Sequence, residues 1–339
     1  EVGGTFVGGT GTHTFGSLFM AQSANAKATM TTGQVKVNGY NNSANKAWRV
    51  EYGGDTFDNA NGTVMFQFNG FDSRMSMRGE SHANNAFHNL IIHMNGDTRQ
   101  ISPDNGNKII VDNNLTITRG KLVMGQNHAL EVGGDCVIDD ASDTAELEMG
   151  ASSNISSKAA TFGSLTINSD GTYKATSGTT TVSGDMVSNG TLTHNDGKFV
   201  FNEHLEVSGT SLTFYNVSAE SGVVKTIDFM NDFTVENELD GNNQWRLKAS
   251  SNTVTLTLGT TSSQGTLDTA AMTSYGFEWD SNTSNFVKIK GASTLKPAII
   301  EGTNIDWDDV SGGLVRLEDC DFQGDITTGG GGVTITLTG

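Results

Sequence analysis

One short motif recurs along this chain and limits its fold more than any other feature. Two polar or small residues precede an apolar residue, one residue facing the other way, and a second apolar residue. It appears as Asn89-Leu90-Ile91-Ile92, Asn114-Leu115-Thr116-Ile117, Asp135-Cys136-Val137-Ile138 and Ser164-Leu165-Thr166-Ile167. It continues as Asp185-Met186-Val187, His204-Leu205-Glu206-Val207 and Asp232-Phe233-Thr234-Val235. Alternation with period two is a strand signal, and the Gly, Asn and Asp pairs between the runs are turn signals. The first apolar positions are 90, 115, 136, 165, 186, 205 and 233, with gaps of 25, 21, 29, 21, 19 and 28 residues. Repeats of this size belong to solenoids. Uneven gaps suit a β-helix, where only the strands stay in register and the turns vary in length.

Two further patterns support coils. An aromatic residue stands three positions before an apolar one in Phe15-Gly16-Ser17-Leu18, Phe87-His88-Asn89-Leu90, Phe162-Gly163-Ser164-Leu165 and Phe214-Tyr215-Asn216-Val217. A Gly-led strand ending in aromatic and Asn appears at 62–69 and 197–202. The pattern persists beyond residue 253, and no stretch has long helical spacing. Residues 1–78 are less regular and read as an N-terminal cap or irregular early coils; residues 79–339 read as a parallel β-helix. The expected fold is all-β, a single-chain right-handed parallel β-helix of about a dozen coils.

Composition fits that expectation. The 339 residues include 42 Gly and only 2 Pro. A chain of ladder-bonded strands tolerates Pro poorly, because Pro removes a ladder donor. The net charge of −18 argues against nucleic acid or an anionic membrane surface as partner. No apolar run is long enough for a membrane span. The chain begins at Glu1 and reads as a processed product or an excerpt of something longer. Cys136 and Cys320 are too many coils apart for a disulfide, so both are expected to be free thiols.

These repeats resemble the right-handed parallel β-helix repeats of phage tail and virion structural proteins, and those of large bacterial surface adhesins. The likeness is closest over residues 60–240. It implies a virion-surface or extracellular location, a role in adhesion or decoration, and often a trimer. The expected partners are other virion or surface structural proteins, with a host-surface glycan as a further candidate and a homo-oligomer as the expected state.

Carboxylate clusters are the only candidates for chemistry. They are Asp306, Asp308 and Asp309 around Trp307; Glu318, Asp319 and Asp321; and Asp139, Asp140 and Asp143. Such clusters can supply an acid and a base for glycosidic cleavage, or oxygen ligands for Ca²⁺. In a chain with 38 acidic residues, solvated clusters arise by chance, and none has an EF-hand or nonapeptide calcium spacing. His13, His82, His88, His93, His128, His194 and His204 are scattered without zinc-site spacing. Trp245 and Trp279 lie among polar residues and are the candidates for an exposed aromatic contact, with packing at a coil corner as the alternative. No catalytic, cofactor-binding or metal residue is assigned, and no cofactor is expected, with Ca²⁺ as the one ion these clusters suit. The functional expectation is a non-enzymatic structural or adhesive protein of a virion exterior: a phage tail spike, a fibre or a capsid decoration. The alternatives are a repeat segment of a bacterial cell-surface adhesin or filament and, behind it, a polysaccharide-degrading enzyme.

Overall fold

A computed structural model describes residues 5–20, 27–39, 46–50, 57–67, 72–77, 86–94, 99–103, 108–139, 144–151, 154–219, 226–240, 244–248, 253–268, 277–280, 287–295, 297–301, 305–306, 314–323, 326–327 and 334–338. Among the described residues the regular elements are all strands, and nearly every strand pair is parallel. The fold is an all-β parallel β-helix. Contacts divide it into two compact units, Glu1–Gly178 and Thr179–Gly339.

In the first unit the recurring motif becomes a vertical column. Leu90 pairs with Leu115, Leu115 with Cys136 and Cys136 with Leu165, all in parallel register. Ile92, Ile117, Ile138 and Ile167 form the matching second row. The same ladder runs through the early coils: His13 pairs with Val35, Val35 with Val64 and Val64 with Leu90. The members of both rows from Leu90 to Ile167 are fully buried. Each such side chain contributes about 1.5–3 kcal/mol by leaving water.

The aromatic pattern marks a corner. Phe162 pairs with Val132 on one face, and Leu165 pairs with Cys136 on the next, with a register shift in the partner strand between Val132 and Asp135. Phe87 bridges Val111 while Leu90 meets Leu115. Phe214 pairs with Val235 and Val217 with Leu239, again across a shift. Two residues three apart both point inward because the chain turns between them. The corners stack closely: a Cβ on Gly163 would lie 2.5 Å from the carbonyl oxygens of Gly133 and Gly134. Only glycine fits that approach.

Corner polar groups tie coil to coil. Asn89 Oδ1 accepts from Asn113 Nδ2 at 2.9 Å and from the Asn114 N–H at 3.3 Å. Asn114 Oδ1 accepts the Asp135 N–H at 2.9 Å, and Asp135 Oδ1 accepts the Ser164 hydroxyl at 2.6 Å. At another corner Ser156 Oγ accepts the Lys158 N–H at 3.1 Å and donates to the Gln126 carbonyl at 3.0 Å. Thr176 repeats the device one coil later, donating to the Ser156 carbonyl and accepting the Gly178 N–H. Both hydroxyl residues are fully buried, and every hydroxyl bond satisfies a group that burial would otherwise penalise.

The second unit corrects part of the repeat assignment. Met186 pairs with Val207, not Leu205, and Val207 with Phe229. Phe233 lies in another column, against Leu256. Leu205 and Val207 both point inward, so a slide of two residues leaves the in–out pattern unchanged. A second column here runs Phe199, Val217, Leu239, Leu267 and Ile300. Cys136 is buried and Cys320 partly exposed, and both are free thiols.

Candidate binding faces

With the core closed by stacked side chains, chemistry is left to the outward positions of the strands. In a parallel β-helix these positions also stack, at about 4.8 Å from coil to coil. Outward residues about two dozen apart in sequence therefore become neighbours.

On the first unit this produces an ion-paired patch. Lys121 and Glu146 are register partners, as are Glu148 and Lys174. The Lys121 and Lys174 ammonium groups both contact the Glu146 carboxylate, and Lys174 reaches Glu148 at 3.7 Å. Both glutamates are nearly buried. Burial pushes the Glu146 carboxyl up, but the hydrogen bonds and charges of Lys121 and Lys174 outweigh it and hold it below the usual range. The Glu146 hydrogen bond raises the Lys174 ammonium, outweighing its partial desolvation. This patch is neutralised within itself and offers no free charge to a ligand.

Two recesses lined by described residues lie on the second unit. The first, of about 410 Å³, is lined by Asp185, His204, Glu206, Thr226 and Asp228. Glu206 and Asp228 are register partners on neighbouring coils. Asp185 Oδ1 accepts the Glu206 N–H at 2.8 Å, and His204 Nδ1 accepts the Thr226 N–H at 2.9 Å. The proton of a neutral His204 is therefore on Nε2. Two of the lining side chains thus serve the coil-to-coil ladder. The second recess, of about 310 Å³, carries a row of hydroxyls. Thr213, Thr234, Thr257 and Lys290 follow one another in register and line this recess together. A row of hydroxyl donors and acceptors suits a polyhydroxylated ligand.

His194 stands in a third arrangement. Its ring stacks on Tyr215 at 5.8 Å and its Nε2 lies 3.3 Å from Glu236, while Nδ1 accepts the Asp196 N–H at 3.0 Å. Nδ1 holds the local turn, while Nε2 faces a carboxylate far along the chain.

The carboxylate clusters read from sequence fare differently. Of the first, the strand Ile305–Asp306 is placed, while Trp307, Asp308 and Asp309 lie outside the described residues. In the second, Glu318 pairs with Lys288 of the preceding coil at 3.0 Å, and Asp319 takes a left-handed φ of 53° at a corner. In the third, Asp139 is exposed while Asp140 and Asp143 lie outside the described residues. Among the described residues no three His, Cys, Asp or Glu side chains converge as metal ligands. Trp48 is fully buried in the first unit's core against Phe57, Phe66 and Phe87. Trp245 and Trp279 occupy paired strands. His82 lies outside the described residues, and His128 is buried.

The acidic and hydroxyl recesses were missed because each is assembled across coils, not along the chain. The available signal was the outward middle residue of each apolar triplet: Leu205-Glu206-Val207 and Ile227-Asp228-Phe229 both place an acid there. No helix among the described residues is long and apolar enough to cross a membrane. No protein family, curated protein or solved structure matches this chain.

Proposed function

We propose that this chain is a non-enzymatic structural and adhesive protein of a virion exterior: a phage tail spike, a fibre or a capsid decoration. The observation that carries this reading is the ladder itself. Backbone pairing passes from coil to coil in register, and side chains at the corners add bonds in the same direction. Such a structure leaves few backbone groups for a protease to capture and gives long outward faces for lateral contact. The hydroxyl row Thr213, Thr234 and Thr257 is the face we assign to glycan contact.

Immunogold labelling of purified particles with antibody against residues 1–339 tests the location. Regular decoration of tails or capsids is expected. Labelling of bacterial cell surfaces instead would move the chain to the adhesin or filament alternative. The enzyme alternative is tested by depolymerase assay on host polysaccharide. Cleavage that disappears in Glu206→Gln/Asp228→Asn, or in Asp306→Asn/Asp308→Asn/Asp309→Asn, would replace the non-enzymatic reading.

A further inference from the structure

Some threonines of this fold spend their hydroxyls on its own frame: Thr31 and Thr176 each donate to a backbone carbonyl of a neighbouring coil. The threonines lining the smaller recess of the second unit do not. The side-chain hydroxyls of Thr213, Thr234, Thr255 and Thr257 make no hydrogen bond among the described residues. Thr213, Thr234 and Thr257 are register neighbours, and Thr255 shares the outward face of the strand Val254–Leu258 with Thr257. All four are half-buried. Their polar atoms are therefore held in place, partly shielded from water and uncommitted.

The hydroxyl row ends on a cation. Lys290 follows Thr257 in register, and Lys288 follows Thr255. The two lysines share one face of the strand Val287–Gly291 but differ in what they meet. Lys288 Nζ contacts the Glu318 carboxylate at 3.0 Å. Lys290 is the register partner of Glu318, yet among the described residues no carboxylate lies within ion-pair distance of it. Its ammonium offers three donors and no acceptor, beside the hydroxyls of the same recess. Asp232 is the carboxylate of that lining. It stands two coils from Lys290 and in the other row, and its Oδ1 already accepts the Thr255 N–H at 2.7 Å.

We propose that the ligand of this face is a glycan with one carboxylated sugar among neutral ones, laid along the stacking direction with its carboxylate on Lys290; this rests on the assignment of the hydroxyl row to glycan contact. Thr213 and Lys290 are three register steps apart, about 14 Å along the stack, which is room for more than one sugar ring. Neutral sugars match the free hydroxyls, which both donate and accept. The carboxylate matches the ammonium, and a charge-assisted bond of this kind is the stronger sort. One unpaired cation selects one acid group. A chain of net charge −18 repels a polyanion, so the remaining sugars are uncharged.

An array of tri- to pentasaccharides probed with the 339-residue chain at physiological ionic strength tests this. It holds neutral members, members with one glucuronate or galacturonate, and copies of the latter with the carboxyl reduced to an alcohol. Uronate-bearing members are expected to bind, and carboxyl reduction to weaken them about tenfold or more. Lys290→Gln should give the same loss and no longer respond to carboxyl reduction, while Lys290→Arg keeps the preference. Thr234→Val/Thr257→Val should weaken acidic and reduced members alike. Lys158→Gln, at an exposed cation of the first unit, should change nothing. Circular dichroism checks that each variant is folded. Reduced copies bound as tightly as uronates overturn the acidic-sugar assignment and leave the glycan face standing. Binding lost in the threonine variant but kept in Lys290→Gln does the same. Binding untouched by either variant, or no binding to any member, overturns both.

Discussion

The column Leu90–Leu115–Cys136–Leu165 in the first unit and the column Met186–Val207–Phe229 in the second obey one rule with different persistence. In both, the polar residue before an inward apolar residue accepts a hydrogen bond from the residue before its register partner. In the first unit the donor residue is itself Asn, Asp or Ser, so the link is passed on: Asn89 to Asn114, Asn114 to Asp135, Asp135 to Ser164. In the second unit Asp185 binds Glu206, His204 binds Thr226 and Asp232 binds Thr255. Each of these links belongs to a different column. Register is therefore written in corner acceptors, and apolar alternation only says which side faces in.

The largest expected effect tests the closeness of the first unit's corners. Gly163→Val should destabilise the first unit by more than about 3 kcal/mol, since the carbonyls it meets belong to the backbone and cannot swing aside. Urea unfolding monitored by tryptophan fluorescence reads this, and a variant as stable as the parent would mean the corners are not stacked as described.

Next comes the relay. Asn114→Ala removes the acceptor of the solvent-exposed Asp135 N–H and should cost about 0.5–1.5 kcal/mol, the net worth of one such hydrogen bond. Double-mutant cycles sharpen the contrast. Asn114→Ala and Asp135→Ala should be non-additive, because they share a network. Asp185→Ala and Asp232→Ala should add. Equal coupling in both pairs would erase the distinction drawn between the units.

The ion-paired patch gives a pH signature confined to the first unit. Glu146 has a folded-state pKa below its unfolded one. Its contribution is present above the ordinary carboxylate range and is lost as pH falls through the lowered value. Lys174 has the opposite sign: its raised ammonium stabilises below the ordinary lysine range, and that is lost as pH rises through the raised value. Glu146→Gln should flatten both limbs of the stability–pH curve. Unchanged limbs would show that the patch is not coupled to folding.

The smallest effect compares the two thiols. Burial pushes the Cys136 thiol far up, with Asp135 adding to it. Burial also raises Cys320, to about 11, despite the backbone hydrogen bond at Glu318. A disulfide reagent at pH 8 should label Cys320 slowly and Cys136 only on unfolding, as quantified by peptide mass spectrometry. Faster labelling of Cys136 would contradict its place in the column.

Much of the fold was legible because inward alternation and small polar corners are both local. Four successive positions of the Leu90 column follow directly from the Asn, Asp or Ser that precedes each. Legibility failed where the acceptor was not repeated: nothing in His204-Leu205-Glu206-Val207 alone shows that Val207, not Leu205, meets Met186. The binding faces were harder still. Thr213, Thr234 and Thr257 form a row only after register is known, whereas the clusters that stood out along the chain were neighbours by sequence alone.

The step from Cys136 to Leu165 holds one more consequence. Its 29 residues include a small antiparallel hairpin, Gly150 against Ile155 and Ala151 against Asn154, while the columns on either side stay in register. Length added at such a point is spent outside the ladder and leaves the wall intact. A gene encoding this chain can therefore lengthen or shorten this hairpin, changing what the surface displays there while the frame that displays it is inherited unaltered.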